Sequence, residues 1–330
     1  MLRRSATSLL LVAALGLTVA ACGGSSSPSS SSTGGATTST ASTGDGSAQS
    51  VLSSINTNVG SQGPQNVSVK LTATISGAPK DPTLGVFLSK PISFTLTGPV
   101  DTKAQKTDLT FELAAGPIKV DGGIRQVGAD SFLEINGKWY ALPANALSSV
   151  TGTSTGTTTS SSSVDPQALL GAFGDPTKLL TNAKLVGSED VGGISSDHVS
   201  GDIDLAALVK GVSSVAGSTS GASASPVSPA QIASSVTSLQ QYVKSATADL
   251  WVGKDDKQIH RFATTIDGAT DASTKASSGI DGFTITLDVS ATPTKSPSVS
   301  APSNPAPLAQ LESDLGGLLG GLSAGGTTTS

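Results

Sequence analysis

One cysteine in 330 residues excludes an internal disulfide framework. Aromatic residues are scarce, at 3% of the chain, too few for the stacking platforms on which nucleic-acid bases are held. Basic residues are in deficit, with 19 Lys and Arg against 24 Asp and Glu, so the basic footprint of a polyanion binder is missing and no nucleic-acid partner is expected. Only two histidines occur, His198 and His260, and their neighbours form no ligand cluster by spacing, so neither a metal nor a cofactor is expected. The apolar run over residues 9–21 is about 13 residues long, short of the roughly 20 that cross a hydrocarbon core as a stable helix.

That short run is itself informative. It follows Arg3 and Arg4 and ends at Val19-Ala20-Ala21-Cys22, the charged start, apolar centre and small-residue close of a secretory signal, so residues 1–21 are expected to be cleaved. Small residues ahead of the single cysteine form a lipobox, which makes Cys22 the lipidation site. Two or more acyl chains on Cys22 give stable anchoring where one gives marginal binding, and they remove a free thiol from an oxidising compartment. The expected location is the extracytoplasmic face of the cell membrane, lipid-anchored. Loss of Arg3 and Arg4 with the signal leaves a mature charge of about −7.

Composition divides the remainder. Residues 22–49, the lipidated N-terminus and a Ser, Thr, Gly and Ala tract, bury too little apolar surface to order themselves and read as a tether with a span of roughly 30 Å. Residues 50–290 form one domain, interrupted by polar tracts at 148–163 and 217–228. Residues 291–330 read as a Pro/Ser/Gly-rich tail. Within it Leu308, Leu311, Leu315, Leu318 and Leu322 recur at spacings of three and four, but five glycines between 316 and 325 each cost about 1 kcal/mol in a helix. A disordered tail is expected, with removal of 305–330 leaving folding and bound lipid unchanged.

Inside the domain the dominant period is two. Val67, Val69, Leu71, Ala73 and Ile75 alternate with polar residues, the signature of a half-buried strand. The alternation returns at Ile92-Phe94-Leu96, Leu109-Phe111-Leu113 and Ile118-Val120. Asn136-Gly137, between Phe132-Leu133-Glu134-Ile135 and Lys138-Trp139-Tyr140-Ala141, predicts a type I′ hairpin. The first half is thus an antiparallel meander of five or six strands. Asp165-Pro166 and Asp175-Pro176, each followed by leucines that include Leu180, predict two short helices, and Ile232, Val236, Leu239 and Val243 predict a longer helix over 229–244. Further strands are expected at 183–187, 198–203, 248–252, 259–266 and 283–289. The fold class is α+β: a large curved antiparallel sheet, a half-barrel, with helices covering its concave face.

Catalytic constellations are weak. Gly152-Thr153-Ser154-Thr155-Gly156 satisfies Gly-x-Ser-x-Gly but lies in a Ser/Thr/Gly tract, where composition alone produces it, and not between a buried strand and a helix. Asp197 and His198 are adjacent in a strand and so point to opposite faces. Both histidines are expected at half-exposed strand positions, and the chain is not expected to be an enzyme. The bulky strand residues Phe94, Leu96, Leu109, Phe111 and Leu113, joined by Phe132 and Ile135, are the expected lining of an apolar cavity. A ten-residue strand spans roughly 33 Å, more than the roughly 15 Å of one leaflet's hydrocarbon, so such a sheet is long enough to receive an acyl chain.

The order of lipobox, tether, meander ending in Phe132-Leu133-Glu134-Ile135-Asn136-Gly137-Lys138-Trp139-Tyr140, Asp-Pro helices and Asp249-Leu250-Trp251-Val252 resembles the actinobacterial LppX/LprG-type lipid-carrier lipoproteins. The resemblance covers roughly residues 50–290. It implies a half-barrel similar to the periplasmic lipoprotein carriers, enclosing a cavity for acylated lipids or glycolipids, which such proteins bind or transfer. An envelope structural or protein-interaction lipoprotein without a lipid cavity is the alternative.

Overall fold

Because β side chains alternate in direction, the run from Val67 to Ile75 presents one apolar edge, and in the computed structural model it lies within the 13-residue strand β1 (Gln65–Gly77). The structure describes residues 45–55, 63–143, 180–204, 241–311 and 313–314. The signal sequence, Cys22, both Asp-Pro helices as far as 179, and positions 229–240 of the longer helix lie outside them.

After β1 comes the short helix α2 (Pro82–Leu88), preceded in the chain by α1 (Asp45–Ser53). The meander continues through β2 (Ile92–Asp101), β3 (Lys106–Ala115), β4 (Ile118–Val127), β5 (Asp130–Ile135) and β6 (Lys138–Leu142). A second meander follows, with β7 (Leu180–Val191), β8 (Ile194–Ile203), β9 (Val243–Gly253), β10 (Ile259–Ala269), the helix α3 (Ala272–Ser278) and β11 (Ile280–Pro293). A two-residue strand, β12 (Ala306–Pro307), ends the set. All twelve strands form one open sheet in the order β12-β6-β5-β4-β3-β2-β1-β11-β10-β9-β8-β7. Every pair is antiparallel except β12 with β6, so the sheet is mixed where a wholly antiparallel one was expected. The two meanders meet at a seam where β1 pairs with β11 and Val69 faces Val289.

Turn chemistry explains the hairpins. Asn136 and Gly137 have φ of +48° and +83°, the left-handed values a type I′ turn requires. Gly192 and Gly193, at φ +61° and +89°, join β7 to β8 in the same way, and with this turn the expected strands at 183–187 and 198–203 extend into one long hairpin. The helices start on carboxylates. Asp81 Oδ1 accepts from Leu84 N at 3.3 Å, and Asp271 Oδ1 accepts from Thr274 N at 2.8 Å. Hydrogen bonds from Ser273 and Thr274 hold the Asp271 carboxyl down at about 2. Gly279, in the left-handed conformation, closes α3 by donating to Lys275 O.

Four expectations are corrected. Leu180 begins a strand, not a helix, and Val243 and Lys244 belong to β9. The spacings of three and four that end at Val243 overlap a period of two through Ala246, Ala248 and Leu250, and cross-strand pairing with β10 decides the conflict. Residues 45–49 are not tether: they open α1, and Ala48 and Leu52 are 0% and 1% exposed. The segment after 290 is not free tail throughout, since β11 runs to Pro293, β12 pairs with β6, and Leu311 is buried.

The core has two centres. Ala48 and Leu52 of α1 close over Leu180, Val199, Ile203, Ala248, Leu250 and Phe262 in the second meander. Val67, Val69, Leu96, Leu109 and Val289 form the other, across the seam.

Candidate functional site

Directly opposed residues in neighbouring strands point to the same face, so register settles which side chains share a surface. One row runs Lys138, Ile135, Gly122, Phe111, Leu96, Val69, Val289, Phe262, Leu250 and Val199 across ten strands. The next rows add Phe94 with Leu113 and Leu109 with Ile124. The strands therefore bring Phe94, Leu96, Leu109, Phe111, Leu113 and Ile135 onto one apolar face. Phe132 is on the other, paired with Arg125 and Ala141, because it is one residue out of phase with Leu133 and Ile135.

Coverage of this face differs between the two meanders. Over β7 and β8 it is packed beneath α1. Over the first meander, Leu96 and Leu109 are buried but Phe94, Phe111, Leu113 and Ile135 remain half-buried. The Phe94 and Phe111 rings lie 6.5 Å apart between centroids. The Phe111 ring lies over Gly122, where an added Cβ would stand 2.4 Å from Phe111 Cζ.

The opposite face is polar. An open cleft of about 360 Å³ there is lined by Thr95, Thr97, Thr110, Glu112, Asp121 and Glu134, with Phe111, Gly122 and Gly137 at its margins. It is not the apolar pocket anticipated from the strand residues. Lys119 bridges Glu112 and Asp121 at 3.3 and 3.6 Å.

On the same polar face of the second meander, His198 meets Glu189 Oε1 through Nδ1 at 3.0 Å and Asp249 Oδ1 through Nε2 at 2.9 Å. Trp251 stacks on its ring at 4.3 Å and donates Nε1–H to Glu189 Oε2 at 3.0 Å. Those bonds, from Trp251 first and from His198, lower the Glu189 carboxyl below its usual range. Arg261 sits over Trp251 at 4.4 Å and grips Asp288 with two hydrogen bonds. His260 is enclosed, with Nδ1 on Ala291 O at 3.2 Å and Nε2 on Asp256 Oδ2 at 2.9 Å. His198 is intermediate in exposure, whereas His260, with a side chain 2% accessible, is buried and not half-exposed as expected, because neighbouring strands flank it. Each ring has a protein acceptor at both nitrogens, so neither offers a nitrogen to substrate or metal. Among the described residues no three His, Cys, Asp or Glu side chains are placed to hold a metal ion, and no helix is long and apolar enough to cross a membrane.

The sequence did not anticipate a contact at the β6 end of the apolar face. Asp314 Oδ2 accepts from Lys138 Nζ and from Tyr140 Oη, each at 2.7 Å. Lys138 and then Tyr140 hold the Asp314 carboxyl below its usual range, and the same carboxylate raises both the lysine and the phenol.

The structure is similar to that of LprF from Mycobacterium bovis, 12% identical, covering 80% of this chain and 99% of that one at a TM-score of 0.33. It is also similar to the Mycobacterium tuberculosis lipoprotein LppX, 16% identical, covering 75% and 98% at a TM-score of 0.32. These are the proteins to whose type the order of sequence elements pointed. No protein-family model matches the chain, and no curated protein does. At TM-scores of this size, function has to be argued from the chain's own side chains.

Proposed function

We propose that this chain is an envelope lipoprotein, held at the extracytoplasmic face of the cell membrane by an acylated Cys22, that binds and transfers acylated lipids or glycolipids on the apolar face of its sheet. In this reading helices cover the concave side and the chain is not an enzyme. The observation that supports it is the unequal coverage of one continuous apolar face. Under α1 that face is ordinary core; across β2–β5, Phe94, Phe111, Leu113 and Ile135 keep part of their surface open. Aliphatic rows with few rings suit flexible methylene chains. Burying ten methylenes at about 0.8 kcal/mol each gives roughly 8 kcal/mol, the free energy of a micromolar complex before ordering costs.

The test is solvent extraction and mass spectrometry of residues 23–330, purified without the anchor from a bacterial host. A diacyl lipid in near-stoichiometric amount is the expected result, with Leu96→Trp and Leu113→Trp variants emptied of it because the ring fills the space. A protein that carries no lipid and leaves a fluorescent acyl probe unbound would overturn the proposal.

A further inference from the structure

The apolar row does not end in an apolar side chain. At the β6 edge it reaches Lys138, which stands opposite Ile135, and the neighbouring row reaches Tyr140, opposite Leu133. Tyr140 is 2% exposed, its ring belongs to the face, and the Lys138 ammonium lies 5.4 Å from the ring centroid. Both donors converge on one carboxylate oxygen of Asp314. Two donors on a single anionic oxygen, at the rim of an apolar surface, is the geometry that receives a negatively charged group attached to a hydrophobic body.

The group now held there comes from the far end of the chain. After β11, the backbone is fastened to fixed strands at two points before it arrives. Ser300 O accepts from Arg125 of β4 at 3.4 Å, and Ala306 and Pro307 pair with Tyr140 and Ala141. A helical turn from Leu308 then places Leu311, 7% exposed, three residues before Asp314. Within three residues the segment thus carries a buried leucine and the carboxylate held by Lys138 and Tyr140, the two-part chemistry of an acyl chain with an anionic head. The leucine spacing continues in the sequence through Leu315, Leu318 and Leu322.

We propose that Lys138 and Tyr140 form a subsite for the phosphate or carboxylate head group of an acylated lipid, and that the chain's own C-terminal segment, through Leu311 and Asp314, occupies it as an exchangeable plug. This rests on the reading of the apolar face as a lipid site and adds to it an anionic substrate class and a built-in competitor. Displacing the plug costs one ion pair and one hydrogen bond, which the incoming anion replaces in kind. A neutral lipid must leave Asp314 in place or leave Lys138 without a counter-charge.

The experiment uses residues 23–330 and two probes with the same labelled acyl chain, one a phosphatidylglycerol and one a diacylglycerol. Asp314→Ala is expected to tighten the phosphatidylglycerol about tenfold, and Lys138→Gln to weaken it about tenfold, the scale of one charge-assisted hydrogen bond. Tyr140→Phe should weaken it less, and each variant should move the diacylglycerol by under about threefold. Thermal melts of all variants, with Asp314→Asn as a second neutral form, separate folding from binding. Variants that move both probes equally, or neither, would overturn the subsite while leaving the lipid reading standing. If neither probe binds the wild type or Asp314→Ala, the lipid reading falls and the subsite with it. Inorganic phosphate at millimolar concentration is expected to leave probe binding unchanged, and release of the probe by phosphate alone would show an anion site with no lipid component.

Discussion

Gly122 shows how one missing side chain shapes the apolar face. An added Cβ there would lie 2.2 Å from Glu134 O and 2.4 Å from Phe111 Cζ, so both the β5 backbone and the phenylalanine ring use the space. Gly268 has the same relation to Phe283, at 2.2 Å. These glycines are positions of close approach, where bare backbone lets a ring lie flat on the sheet. Gly122→Ala is expected to destabilise the domain by about 1–3 kcal/mol through forced displacement. Urea unfolding measures it, and Phe111→Leu in the same chain should recover part of the loss, since the shorter side chain withdraws from the clash.

At the scale of elements, α1 is the piece that turns half of the apolar face into core. It does so through Ala48 and Leu52, set four apart on one helix face and both buried against the second meander. Leu52→Ala is expected to cost about 2–5 kcal/mol and to lower the thermal midpoint by several degrees; a change within error would show that α1 sits on the sheet without supporting it. The elements also show what the sequence made legible. The first meander, expected at five or six strands and formed of six, followed from alternation, and the β5–β6 hairpin from Asn136-Gly137. The starts of α2 and α3, at Asp81-Pro82 and Asp271, went unread, although the first carries the same Asp-Pro signal read at 165 and 175. Position 45 as the start of α1 was hidden by a Ser- and Ala-rich composition that says little about packing. The β12 strand is two residues long and exists only because β6 offers an edge. The contact of His198 with Asp249 depends on the pairing of β8 with β9, 51 positions apart in the chain, and those of Asp314 join residues more than 170 positions apart. Neither kind of contact leaves a trace in local spacing. Phe132 was misplaced because a one-residue phase change reverses a strand's faces.

For the molecule as a whole, two attachments matter. The first is the proposed acylation of Cys22: Cys22→Ser is expected to release a folded protein from the membrane fraction, because Cys22 precedes the start of α1 at Asp45 by more than twenty residues. Retention of that variant in washed membranes would contradict acylation at this position. The second is the C-terminal segment on β6. Asp314 titrates lower in the folded chain than its ordinary 3.8, so its hold is complete above that value and fades as pH falls through the lowered one. Lys138 titrates above its ordinary 10.5, so its share is complete below that value and fades as pH rises through the raised one. Limited proteolysis of residues 300–314 should therefore be slow across neutral pH and accelerate at both extremes. Uniform cleavage across the range would show that the ion pair does not hold the segment.

The seam between β1 and β11 also sets a clock. Val69 and Val289 face each other across a chain separation of roughly 220 residues, whereas tight hairpins such as β5–β6 close over a few, and the connections within each meander are all far shorter than the seam. Closing a loop of that length in place of a ten-residue one costs about 2–3 kcal/mol more in chain entropy. The two meanders are therefore expected to form first and to join late, with the seam largely absent from the rate-limiting barrier to folding. Val289→Ala should then accelerate unfolding and leave the folding rate almost unchanged, which the two arms of a denaturant chevron resolve separately. Until that join is made, β1 and β11 are both open edges, and the time spent in that half-assembled form governs how readily the newly made chain aggregates.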